Sequence, residues 1–138
     1  MIQSFLDMLA DFFYGCGAQS VVYEDAAYAW NNADIPYPSV ALSLVSMTET
    51  ETTRSYTLNI YAGERQREDI DSSTVANYEE LYDLLENALT GITENTEVPC
   101  FADVPRTFQF AKLKMMDVLA VVSVTATFTM DKDPKCEE

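Results

Sequence analysis

Histidine is absent from this 138-residue chain, and glycine (four residues), proline (five) and cysteine (three) are scarce. The missing imidazole removes the commonest general base and metal ligand. With so few glycines there is no phosphate-cradling loop, and no nucleophile motif takes its place. Cys16, Cys100 and Cys136 are an odd number without metal-ligand spacing, and they read as free thiols in a reducing cytoplasm. Cys16 lies between Gly15 and Gly17, with no basic neighbour to lower its pKa. No basic region precedes the apolar start Met1-Ile2-Gln3-Ser4-Phe5, so no signal peptide is expected. No apolar run approaches the roughly 20 residues of a membrane span. Positive charge is the largest deficit. Eight lysines and arginines face twenty-three carboxylates, a net charge of −15. That balance argues against binding nucleic-acid phosphates or anionic lipid. It is compatible with DNA sliding past without sticking, or with carboxylates that mimic DNA.

What is present is a patterned apolar half of the chain, 48% of its residues, enough for one folded domain over residues 1–138 with a frayed acidic tail at about 131–138. Ile2, Phe5, Leu6, Met8, Leu9, Phe12 and Phe13 recur at helical spacing, and Gly15 and Gly17 are natural stops. Val21-Val22-Tyr23 reads as a short strand, and residues 24–35 as a polar loop ending in Pro36-Tyr37-Pro38. Period-two alternation then places Val40, Leu42, Leu44 and Ser46 on one strand face, with Ala41, Ser43, Val45 and Met47 on the other. Tyr56, Leu58, Ile60 and Ala62 alternate likewise with Ser55, Thr57, Asn59 and Tyr61, predicting a long antiparallel hairpin. Its tip lacks Asn-Gly or Asp-Gly and is expected to be wide.

A second helix is predicted over residues 74–90, with Ser72 or Ser73 as N-cap and Gly91 just past the end. Val75, Tyr78, Leu81, Tyr82, Leu85 and Leu89 would form its buried face, and Glu79, Glu80, Asp83 and Glu86 its acidic one. Asp69 and Asp71 would favour its N-terminal dipole. Residues 98–101 and 107–113 read as short strands divided by Pro105, and residues 118–130 as the clearest strand of all. The predicted class is therefore α+β: an antiparallel sheet with a long hairpin, covered on one face by an N-terminal helix and a second helix.

The chemistry-bearing patterns are weak. Asp69-Ile70-Asp71-Ser72-Ser73, with Glu80 at the twelfth position, echoes a calcium loop, but Thr74 stands where the sharp-turning glycine belongs. Glu49 and Glu51 project from the hairpin, and Glu64, Glu68 and Asp69 cluster beyond its base, in polar sequence that implies no apolar pocket to raise a pKa. Arg65 and Arg67 are expected to pair with these acids. No catalytic, cofactor or metal residues are assigned.

The order of elements resembles the phage tail-completion and tail-terminator family. Ile35-Pro36-Tyr37-Pro38-Ser39-Val40-Ala41-Leu42 looks like that family's approach to its first hairpin strand. Arg54-Ser55-Tyr56-Thr57-Leu58-Asn59-Ile60-Tyr61-Ala62 is similar to its second strand, and residues 118–130 occupy the place of its closing strand. The resemblance implies a virion protein, assembled in the host cytoplasm, that closes into a six- or twelve-fold homo-oligomeric ring at the head–tail neck or in the tail. Its partners would be other neck and tail proteins, with DNA passing through the channel without specific binding and no membrane involved. On that reading Met47, Glu49 and Glu51 in the hairpin tip (residues 47–53), and Glu79, Asp83 and Glu86 on the second helix, are the assembly or lumen surfaces. Two rivals come from other classes: an acidic protein-binding module such as a DNA-mimic inhibitor, and a carboxylate-only metal-dependent hydrolase.

Overall fold

The computed structural model describes residues 2–24, 30, 35–65, 73–94, 101–102, 106–114 and 118–131. Helix α1 (Ile2–Gly15) buries Phe5, Leu6, Leu9, Ala10 and Phe13, the stripe its spacing predicts. Its C-terminus closes in a Schellman motif. The Ala18 amide donates to the Phe13 carbonyl at 3.1 Å and the Gly17 amide to the Tyr14 carbonyl at 3.2 Å. Gly17 supplies the positive φ, 112°, that this turn needs.

Strands β1 (Ser20–Val22), β2 (Ser39–Glu49), β3 (Thr53–Arg65), β4 (Phe101–Ala102), β5 (Phe108–Lys114) and β6 (Val118–Asp131) form one sheet. Its order is β1-β2-β3-β6-β4, with β5 paired to β6 as well. β4 and β5 share one edge of β6: Phe101 and Ala102 face Thr129 and Phe128, while residues 108–114 face residues 124–118. The sheet is mostly antiparallel, as expected, but β1 joins β2 in parallel, pairing Ser20 with Ser39. The fold is α+β, and helix α2 (Ser73–Glu94) packs on the same face of the sheet as α1.

The main core lies between that face and the helices. Val40, Leu42, Tyr56, Leu58, Ile60, Val122, Val124 and Phe128 meet Phe5, Leu9 and Phe13 of α1 and Leu81, Leu85, Leu89 and Ile92 of α2. Phe5 stacks on Tyr56 with ring centroids 4.1 Å apart and meets Phe128 edge-on at 5.9 Å. Such pairs add about 0.5–1.5 kcal/mol each beyond their area.

Four details depart from the sequence reading. The ladder between β2 and β3 slips between Leu44 and Ser46, making Val45 an extra, bulged residue. Met47 therefore pairs with Tyr56 on the helix-bearing face and Ser46 with Thr57 on the other, the reverse of uninterrupted alternation. The hairpin tip is tight rather than wide: the Thr50 amide donates to the Thr53 carbonyl at 3.0 Å, leaving Glu51 and Thr52 as the loop. Thr50 Oγ1 accepts from the Thr53 amide at 2.9 Å, so a threonine side chain does what a glycine turn would have done. Helix α2 does not stop before Gly91 but runs through it to Glu94. A Cβ on Gly91 would lie 3.3 Å from Phe12 Cδ1, so the glycine serves the crossing of α1 over α2. Finally, Val75, assigned to the buried face, is 68% exposed.

The opposite face of the sheet carries a second, smaller core that the reading of residues 24–35 as a polar loop did not anticipate. Trp30, from that loop, is buried against Ala41, Leu119 and Val121. Its Nε1–H donates to Ser39 Oγ at 2.9 Å, and Ser39 is itself fully buried. The Ser20 hydroxyl lies 2.8 Å from Ser39 Oγ and donates to the Pro36 carbonyl at 2.8 Å. The Tyr37–Pro38 bond that follows is cis.

Gly63 of β3 is the floor beneath the indole: a Cβ there would come within 2.8 Å of Trp30 Cζ3. Overpacking of this kind costs about 1–3 kcal/mol. Gly63→Ala should therefore lower the unfolding free energy by about 2 kcal/mol. Trp30 is the sole tryptophan, so its emission should shift to the red in the same variant. An unchanged denaturation midpoint and spectrum would mean that the indole has room to move.

Candidate functional site

The residues expected to form the assembly or lumen surfaces lie at two places, the hairpin tip and the second helix. Met47, Glu49 and Glu51 sit at the far end of the β2–β3 hairpin, whose last pairs oppose Met130 and Asp131 of β6. Glu79 and Asp83 lie on the half of α2 that faces β5, and β5 pairs with the other half of β6.

At the hairpin end, the Arg54 guanidinium holds the Glu49 carboxylate at 2.9 Å, while Glu51 projects from the turn into solvent. Inward from the turn the surface becomes apolar. Leu44, Val45 and Met47 are all exposed, Val45 by 56%. β1 pairs only with Ser39, Val40 and Ala41, so on the edge away from β3 no described strand accompanies residues 42–49 of β2. That edge carries no lysine or proline, the usual guards against strand addition.

On α2 the acids divide. Glu79, Glu80 and Asp83 are exposed. Glu86 instead receives Arg106 Nη1 at 3.2 Å, and the Arg106 side chain is only 12% exposed. Arg106 Nε is buried and has no hydrogen-bond partner among the described residues. The Glu86 carboxylate is thus a counter-ion within the fold, an assignment its place among the acidic residues of α2 concealed. Beside these acids Tyr78 meets Phe110 with ring centroids 5.2 Å apart, and Tyr82 meets Phe108 edge-on at 4.8 Å. Val75, Tyr78, Glu79, Tyr82 and Phe110 line an open apolar groove of about 420 Å³.

The open face of the sheet is neutral and polar. Ser55 and Thr129, and Thr57 and Thr127, share cross-strand hydroxyl bonds of 2.9 Å, and Thr125 Oγ1 donates to Asn59 Oδ1 at 2.7 Å. Asn59, Tyr61, Thr107, Gln109, Ser123 and Thr125 border a depression of about 360 Å³ there.

Of the acids beyond the hairpin base, Glu64 is described, whereas Glu68, Asp69 and the rest of the calcium-like stretch before Ser73 lie outside the described residues. Burial pushes the Glu64 carboxyl above its ordinary 4.5, the charge of Glu80 adds to the rise, and the Arg65 amide and guanidinium oppose it. Arg65 also lies over the Tyr37 ring, 5.1 Å from its centroid. Cys16 packs against the main core, and burial raises its thiol pKa. Cys100 and Cys136 lie outside the described residues. Among the described residues no group of three or more cysteines, aspartates and glutamates is placed to hold a metal ion, and no helix is long and apolar enough to cross a membrane. No protein-family model matches the chain, and no curated protein does.

The division of the α2 acids is testable by thermodynamics. Glu86→Gln strands a largely buried guanidinium and should cost about 1–2 kcal/mol. Glu79→Gln and Asp83→Asn should each stay within about 0.5 kcal/mol of the parent in urea unfolding. Equal costs at all three positions would contradict the Arg106 assignment.

Glu64 gives a pH signature. Its folded-state pKa lies above its unfolded one, so the folded chain holds the proton through a window that opens near pH 4.5. The stability it contributes is present below that window and is lost as pH rises through it. Glu64→Gln should accordingly be more stable than the parent at neutral pH, and the advantage should vanish in acid. Parallel pH–stability curves for the two proteins would show that the carboxyl is not desolvated.

Proposed function

We propose that this chain is a structural subunit of a tailed phage, closing into a ring at the head–tail neck or in the tail, as a terminator, completion or connector ring, around a channel for DNA. The observation that carries the reading is the outer half of β2, whose edge away from β3 has no partner strand among the described residues. An uncapped strand edge, flanked by exposed Leu44, Val45 and Met47, is costly to leave in water and prone to pairing with another chain. A head-to-tail contact of this kind, repeated by rotation, closes a ring. The order of elements and the pattern around Pro36-Tyr37-Pro38 support the same reading. So does the net charge of −15, which multiplied around a ring would repel DNA phosphates and keep transit free of adhesion. Tight end turns such as Glu51-Thr52 would then stand at the boundary between neighbouring subunits.

A second reading, an acidic protein-binding module such as a DNA mimic, draws on the exposed Glu79, Glu80 and Asp83. The two part company on self-association, since a mimic has no need of a bare edge.

Native mass spectrometry over a concentration series, with negative-stain images, should show closed six- or twelve-fold rings. Val45→Lys, which places a charge on the edge without touching the core, should shift them to monomers with the fold retained. A chain that stays monomeric at every concentration and displaces DNA from a basic protein would replace the ring with the binding module.

A further inference from the structure

We infer that the groove between α2 and β5 is a docking site for a basic amphipathic segment of another protein, one that inserts a large apolar side chain and sets lysine or arginine beside it. The inference goes beyond the ring reading and holds with or without it.

The groove arises because α2 carries a wider apolar stripe than the sheet can cover. Leu81, Leu84, Leu85, Ala88, Leu89 and Ile92 are spent on the core. In the first turns, Val75, Tyr78 and Tyr82 continue the stripe past the sheet edge and leave Val75 68% exposed. Phe110 on β5, 53% exposed, faces them across the gap. Two ring contacts, Tyr78 with Phe110 and Tyr82 with Phe108, hold the walls in place before anything binds. At about 420 Å³ the groove is near the small end of ligand pockets, which run roughly 300–1,000 Å³. It is open along one side, which suits one or two side chains of a passing segment better than an enclosed small molecule.

Charge selects the occupant. Glu79 is part of the wall and Asp83 follows it one turn along the helix. Helix α2 has no lysine or arginine in its 22 residues, and among the described residues the guanidinium paired with one of its acids, Arg106, is engaged by Glu86. On the strand side stands Lys112, two residues beyond Phe110 on the same face of β5. The helix wall is therefore acidic, and on that side the apolar floor is flanked by carboxylates, the complement of an apolar anchor with cationic neighbours that lie toward α2. A second copy of this chain, itself at −15, is repelled by the same field.

Panning a randomised peptide library on the intact chain tests this. Enriched peptides should combine a large apolar residue with nearby lysine or arginine, and salt should weaken their binding. Phe110→Ser should reduce affinity at least about tenfold, as loss of an anchoring contact does. Because Phe110 is half-exposed, the variant should keep its circular dichroism and still unfold cooperatively, with stability lowered by no more than the Tyr78 ring contact contributes. The Glu79→Gln/Asp83→Asn double variant, with its apolar walls intact, should bind severalfold more weakly and lose most of the salt dependence. Three results would overturn the proposal: no enrichment, binders indifferent to Phe110→Ser, or a parent dimer that Phe110→Ser dissociates, since a second copy would then be the occupant.

Discussion

The ladder between β3 and β6 governs the molecule. It runs without interruption from Thr53 opposite Asp131 to Arg65 opposite Leu119. Because side chains alternate strictly along such a ladder, one register fixes two surfaces together. Tyr56, Leu58, Ile60 and Ala62 meet Phe128, Ala126, Val124 and Val122 beneath the helices. Ser55, Thr57 and Asn59 meet Thr129, Thr127 and Thr125 on the far side, where they bond to one another. A slip of one residue along β3 would turn Tyr56, Leu58 and Ile60 out of the core and Ser55, Thr57 and Asn59 into it.

Around this ladder the two sheet edges have different fates. On the β6 side, β5 and β4 take successive portions of the edge, and Arg106 approaches α2 from the chain between them. On the β2 side, β1 covers three residues and stops. The uneven cover puts apolar residues at the surface in two places, one against a strand edge and one against a helix. The first offers main-chain hydrogen bonds, and the second offers an apolar recess beside negative charge. They call for different partners, and the acidity of the chain affects them unequally. Residues 42–48 of the edge are uncharged, so two copies could meet there with little local repulsion, whereas α2 presents bare carboxylates.

The strands and helix faces were legible because burial on one side imposes a period that survives in a single sequence. Val40 and Leu42, Tyr56 through Ala62, and residues 118–130 all show it. What escaped were features that depend on a neighbour distant in sequence. The bulge at Val45 leaves no mark, because Leu44, Val45 and Met47 are apolar on either count. Gly91 reads as a helix stop until Phe12 is placed against it, and Trp30 as a stray aromatic in a polar loop until Gly63 makes room for its ring. Glu86 belongs by spacing with Glu79 and Asp83, and only the fold brings Arg106 to it. The acidic face of α2 was foreseen as a surface, but the apolar groove beside it was not, since Val75, Tyr78 and Tyr82 read as ordinary core positions.

The bulge has an evolutionary side. By taking up one residue without a partner, Val45 uncouples the two halves of β2. Substitutions before it are judged by the interior, where Val40 and Leu42 admit no water. Substitutions after it are judged by whatever meets the outer edge. A lineage could therefore rewrite residues 46–49 to suit a new neighbour while the older half of the strand, and the domain it belongs to, stayed as they were.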